Sequence, residues 1–225
     1  MPSVLHFPLG DEMTKQLLKN TSVFLLLAMI AVLLLPGCGK KQEEEKPVVS
    51  DAQALNEYSS DNVFVQVYRQ VQAEPDNVDA LYHLADLYDR QGQYQKAVDT
   101  FKKVLELNPN RNFAYFKLGT AYSRLNQNEK AVEALKEAAK HLPHNPIVMN
   151  NLGIAYGKLN RLDDEIAAFK KALEIRPRYA SGRFNLALVY LKKGDRQSAM
   201  EQYEELEKFD LTMAAELKKR IGAVK

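Results

Sequence analysis

Few side chains in this sequence are of types and spacings that do chemistry. There is one cysteine, Cys38, and there are four histidines, His6, His83, His141 and His144. A lone cysteine forms no intramolecular disulfide, and no catalytic partner for Cys38 stands out along the chain. The pair in His141-Leu142-Pro143-His144 lacks the His-Glu-x-x-His spacing of a zinc site and has no cysteine cluster beside it. Gly-rich phosphate loops and Gly-x-Ser-x-Gly elbows are missing. Asp163-Asp164-Glu165 and Glu204-Glu205 read as first-turn charges and solvated helix faces. We therefore expect no catalytic residue, no metal and no cofactor, and so no enzyme. A formal net charge of +2 over 225 residues is too near neutral for a nucleic-acid binder.

Cys38 has a second chemistry open to it. Lys15 and Lys19 precede an apolar run of thirteen residues, Val23 to Leu35, which ends in Pro36-Gly37-Cys38. A basic start, a short apolar stretch and small residues at its end describe an export signal. The run is shorter than the roughly 20 residues a helix needs to cross a bilayer. Its end resembles the bacterial lipobox, Leu-x-Gly/Ala-Cys, although Pro36 is an uncommon choice within it. That resemblance implies that the cysteine is acylated, palmitate-like chains included, and becomes the first mature residue. Several acyl chains hold a protein stably on a membrane where a single chain does so marginally. Asp11 and Glu12 offset the basic flank, so translation is expected to start at Met13 within a signal segment of residues 1–37. Residues 38–60 are polar and carry no sustained apolar stripe, which predicts a flexible tether spanning roughly 25 Å. Gly39 follows the cysteine. By the same resemblance, a residue other than Asp there permits transfer to the outer membrane, facing the periplasm, if the organism has two membranes.

What the anchor carries is written in a period. Leu84, Leu118, Leu152 and Leu186 recur every 34 residues, as do Tyr88, Tyr122, Tyr156 and Tyr190. Ala85, Gly119, Gly153 and Ala187 follow the leucines, and Phe101, Leu135, Phe169 and Tyr203 repeat in the same register. A fixed period of this size means one small unit stacked on copies of itself. Leu81, Leu84, Ala85 and Tyr88 fall on one helical face, and Ala97, Phe101, Val104 and Leu105 on another. Each unit is thus a pair of amphipathic helices. Gly92, Asn126, Asn160 and Gly194 lie between the two and mark the turn, because Gly and Asn tolerate the left-handed conformation that ends helices. Pro109, Pro143 and Pro177 close the units.

These residues resemble the tetratricopeptide repeat (TPR), with its large-x2-Leu-Gly/Ala-x2-Tyr pattern followed by small, aromatic, small and Pro positions. The resemblance implies an all-α, right-handed solenoid of helical hairpins, with four full repeats over residues 78–213. Phe64, Val67, Tyr68 and Val71 form a stripe ending before Pro75, which predicts a degenerate half-repeat over residues 61–77. A capping helix over residues 214–225 is expected to bury Ala214, Leu217 and Ile221 and to expose Lys218, Lys219 and Arg220, with Asp210 as its N-cap. The third repeat breaks the pattern, with Glu165 where the others have Ala97, Ala131 and Ala199. A carboxylate between two helices is costly unless it reaches water or a cation such as Lys158 or Arg161. Either the helix turns and lets Glu165 escape at the seam, or the residue loosens this repeat for a partner.

In such arrays the first helices line the concave side. Beside their core stripe runs a second one: Asp79, Tyr82 and Asp86; Phe113, Phe116 and Thr120; Ile147, Asn150 and Ile154; Ser181, Phe184 and Leu188. Its apolar members predict a groove for a peptide segment or partner helix, unless neighbouring helices bury them between repeats. Asp79 and Asp86 point to positive charge on the ligand near the first repeat. A clamp for a terminal carboxylate is disfavoured, because apolar side chains occupy the positions where it needs Lys and Asn. Arg90, Arg124, Lys158 and Lys192 form a basic ladder that reads as solvated. The expectation is a lipid-anchored envelope scaffold, either helping a type IV pilus or secretin system assemble or presenting peptidoglycan-remodelling enzymes. A membrane-anchored cochaperone with an uncleaved segment is the alternative. Repeat proteins of this size often pair, so a homodimer stays open.

Overall fold

Ten α-helices and no strand make up residues 63–223, the part of the chain that this computed structural model describes. They are α1 (Val63–Ala73), α2 (Val78–Arg90), α3 (Tyr94–Leu107), α4 (Asn112–Arg124), α5 (Asn128–His141), α6 (Pro146–Lys158), α7 (Leu162–Ile175), α8 (Ala180–Lys192), α9 (Arg196–Glu207) and α10 (Leu211–Ala223). The signal segment, Cys38 and the tether lie outside the described residues. Among the described residues, no helix is long and apolar enough to cross a membrane.

The turns inside the hairpins follow from residue type. Gly92, Asn126, Asn160 and Gly194 have φ of 78°, 56°, 56° and 79°, the left-handed region that Gly and Asn reach at least cost. Between units, Asn77 and Asn145 cap α2 and α6 by accepting backbone N–H groups, Ala80 N for the first and Ile147 N and Val148 N for the second. Every first helix packs on the second helix of its own unit, and every second helix on the first helix of the next. The result is a single file in which no unit completes its core alone.

Small residues make this packing close. A Cβ on Gly153 would stand 2.6 Å from Cε1 of Phe169, so the ring of α7 rests directly on the backbone of α6. Phe101, Leu135 and Phe169, which share one register position, are among the largest fully buried side chains, and Tyr203 at that position of the fourth unit is also buried. The column of aromatic and leucine residues is therefore the spine of the core.

The ends are finished differently. On α1, Phe64 is buried with its ring edge-on to Tyr88 at 5.6 Å, and Val65 is buried beside it, although Val65 lay off the expected stripe. The buried face of this helix is wider than its sequence stripe. At the other end the last helix begins at Leu211, directly after Asp210, whose side chain accepts Met213 N at 2.9 Å. Ala214, Leu217 and Ile221 are buried, while Lys218, Lys219 and Arg220 face solvent.

Candidate functional site

The first helices α2, α4 and α6 approach one another directly along the inner side, and the approach between α6 and α8 is less extensive. On these helices the second stripe divides by exposure. Phe113 is 50% exposed, Ile147 43% and Ile154 37%, all large for apolar side chains in a packed array. Three residues so exposed, on two adjacent helices, leave apolar surface open between the second and third units. Phe116, Phe184 and Leu188 are only partly open, because each also packs against a buried cluster. Tyr82 sets its ring edge-on to Phe101 at 5.7 Å. Asn150 is buried, and its Oδ1 accepts Asn185 Nδ2 of α8 at 3.0 Å.

Both carboxylates at the acidic end of the stripe are paired within the fold. Asp79 pairs with Arg111 at 2.9 Å, and that guanidinium also lies 4.8 Å from the Tyr82 ring centre. Asp86 pairs with Arg90 at 2.6 Å and with Lys117. Burial pushes the Asp86 carboxyl up, but the Lys117 hydrogen bond and the Lys117 and Arg90 charges outweigh it and hold the pKa below the ordinary value.

The basic ladder is not simply solvated. Arg124 Nη1 donates to the buried Asp89 carboxylate at 2.7 Å, and Lys158 Nζ donates to Ser123 O at 2.6 Å and Oγ at 3.0 Å. Each of these residues ties its helix back to the preceding inner helix. Serial ties of this kind help set the spacing of the inner wall. His141 stacks on Tyr115 with ring centres 5.0 Å apart, and among the described residues no group of side chains is arranged to hold a metal.

Glu165 is half-buried at the seam and pairs with neither of the cations expected for it. Lys158 is engaged with Ser123, and Arg161 pairs with Asp164 at 2.7 Å. The carboxylate instead fills the space above Gly157, where an added Cβ would come within 2.7 Å of Glu165 Cδ. Its Oε2 is buried with no hydrogen-bond partner. Burial raises its pKa, opposed by the charge of Lys192. Gly157 is the residue that sequence reasoning missed. Its signal was the column Asp89, Ser123, Gly157, in which a side chain is lost just where a carboxylate appears eight residues on.

A stability prediction follows from this burial. Glu165→Ala, which restores the small residue of the other units, is expected to stabilise the fold at pH 7 by about 1 kcal/mol, the scale of one buried unpaired polar atom. The ordinary glutamate value is 4.5, and the folded value lies above it, so the cost of ionising Glu165 grows as pH rises through that window. The advantage of alanine should therefore shrink as pH falls toward 4.5. Thermal melts of both proteins at neutral and acid pH check it, and a less stable alanine variant at pH 7 would refute the assignment.

The comparisons with known proteins agree with this geometry. Tetratricopeptide repeat family models match residues 78–111, 116–180 and 180–212, nearly the whole span from α2 to the start of α10. The chain belongs to the tetratricopeptide repeat family. Among solved structures, this TPR chain is similar to MamA, with 22% identity over 77% of its own length and 97% of the other and a TM-score of 0.63. It is likewise similar to residues 41 to the end of MamA from Desulfovibrio magneticus RS-1, with 24% identity over 75% and 91% and a TM-score of 0.62. A third is YrrB, described as a TPR protein with an unusual peptide-binding site, with 21% identity over 69% and 81% and a TM-score of 0.61. At these identities the likeness speaks for the fold. No curated protein matches the TPR chain in sequence.

Proposed function

We propose that this TPR protein is a scaffold that holds a peptide or partner segment along its inner helices, carried by a lipid anchor at Cys38 in a bacterial envelope. The observation that carries the reading is the exposed apolar line of Phe113, Ile147 and Ile154 on α4 and α6. Apolar side chains left open on the face where successive helices converge are what a partner segment would cover. YrrB, similar in fold and described as having a peptide-binding site, supports this reading. Within the envelope, assembly of a type IV pilus or secretin system fits an apolar groove best, since a subunit awaiting assembly has apolar segments to shield. Neither the lipid nor the pathway is needed for the groove reading.

The test is capture of a partner from detergent-solubilised envelopes by wild type and by Phe113→Asp/Ile154→Asp. Those two positions are exposed, so the substitutions spare the core, whereas truncating Phe116 or Phe184 would disturb packing. We expect capture by wild type to fall at least about tenfold in the variant, equivalent to about 1.4 kcal/mol. Equal capture by both would move the binding surface elsewhere. Intact mass of the same wild-type preparation reads out the anchor: cleavage before Cys38 with added acyl chains is expected, and a full-length unmodified chain would overturn it.

A further inference from the structure

The ladder of basic ties along the inner wall stops at the fourth unit, where the Asn150–Asn185 hydrogen bond joins α6 and α8 instead. Arg124 reaches Asp89, and Lys158 reaches Ser123, each across 35 residues to the preceding first helix. The next residue in that series is Lys192, and the position it would reach is Gly157, which has no side chain. Glu165 occupies the place from the other side, with Oε2 buried and unpartnered. Lys192 comes close enough to act on the carboxylate by charge but makes no hydrogen bond or ion pair with it. Between them lies a recess of about 300 Å³, lined by Ile154, Gly157, Glu165, Asn185, Leu188 and Lys192. It opens beside the exposed Ile154, at the interval where the inner helices approach least.

We propose that this recess binds a carboxamide, the side chain of an Asn or Gln in a peptide lying along the groove. Its N–H donates to the Glu165 carboxylate, and its C=O accepts from Lys192 Nζ. This inference rests on the groove reading and names the residue type that its third and fourth units select.

The chemistry excludes the other side chains one at a time. A Lys or Arg would satisfy Glu165 but meet the charges of both Lys192 and Lys158 at the rim. An Asp or Glu would satisfy Lys192 and meet the Glu165 carboxylate. A Ser or Thr hydroxyl carries its donor and acceptor on one atom, so it spans a shorter gap than a carboxamide does. A carboxamide has donor and acceptor on different atoms and no charge, and its methylenes fit against Ile154 and Leu188. Covering the recess removes water, which strengthens both charge-assisted hydrogen bonds. Discrimination follows because a ligand that leaves a buried polar group unpaired loses more than a good contact gains.

The experiment is selection of phage-displayed random dodecapeptides on the full-length, detergent-solubilised protein. Binders that lose affinity to Phe113→Asp/Ile154→Asp are kept as groove ligands. We expect these to share an Asn or Gln at one position. Changing it to Ala, Lys or Glu should weaken binding to wild type by about tenfold or more, the size of one well-made polar contact. On Glu165→Ala and Lys192→Met proteins the same changes should matter less than about twofold. Groove ligands with no such position, or with equal losses on all three proteins, overturn the carboxamide site and leave the groove intact. Selection of Lys or Arg there would likewise overturn it, in favour of a simple acidic pocket. If no binder depends on Phe113 and Ile154, the groove reading fails and this inference falls with it.

Discussion

Phe169→Ala is expected to destabilise the array by about 3–5 kcal/mol, as for other fully buried phenylalanines. Phe169 is 1% exposed and touches three helices at once. Its ring lies on Gly153 of α6 and packs with Leu186 and Val189 of α8, while Leu162, Ile166 and Leu173 close around it from α7 itself. The cavity left by alanine cannot collapse easily, because the glycine has no side chain to lean into it. In a linear stack each unit is stabilised mainly by its neighbours, so the loss falls on the junction of the third and fourth units. Total stabilities of about 5–15 kcal/mol make this a large share. Urea unfolding followed by circular dichroism should show a lower midpoint and a broader transition, as the C-terminal units uncouple from the rest. Leu211→Ala, at a side chain 73% exposed, should stay within about 0.5 kcal/mol of wild type. A Phe169→Ala protein within about 1 kcal/mol of wild type would mean that the aromatic column is not the spine of the core.

That column was legible in the sequence because contacts inside a unit repeat at the unit's own period. Leu84 and its equivalents, the four turn residues and Phe101 and its equivalents all satisfy the same local geometry four times, so the 34-residue register exposes them. Contacts between units follow other spacings. Asp86 meets Lys117 across 31 residues, while Asn150 meets Asn185 across 35. A column read by itself therefore shows Asp79 and Asp86 as free carboxylates, when their partners lie in different columns of the next unit. Glu165 failed to be legible for the same reason. Its surroundings are decided by Gly157 on the preceding helix and Lys192 on the following one, and neither is a packing position in the repeat. The exposed half of the groove was readable as a stripe, but which of its members stay open was set by packing: Phe113 and Ile154 are free, while Phe116 and Phe184 lean on neighbouring clusters.

Arg124→Ala should cost about 2 kcal/mol, the range for a charge-assisted hydrogen bond whose partner stays buried. The Asp89 residue is 6% exposed, so without the guanidinium its carboxylate keeps its burial and loses its donor at 2.7 Å. Water reaches the pair from the arginine side, which keeps the loss below the larger figures for pairs removed entirely from solvent. The equivalent change at Lys158 removes bonds to an exposed carbonyl and hydroxyl and should cost no more than about 0.5 kcal/mol. A double-mutant cycle of Arg124→Ala with Asp89→Asn separates the pair from its surroundings, with a coupling of about 1–2 kcal/mol expected. Because the carboxylate is buried, that coupling should change little between low and moderate salt. Equal effects of Arg124→Ala and Lys158→Ala would show that the ladder is decoration. If instead the tie at Asp89 is strong, a physical reason for the recess at Gly157 follows. The inner helices close up where a basic residue finds a partner on the preceding helix, and where Lys192 finds a glycine that tie is missing, which leaves the Asn150–Asn185 hydrogen bond to join α6 and α8.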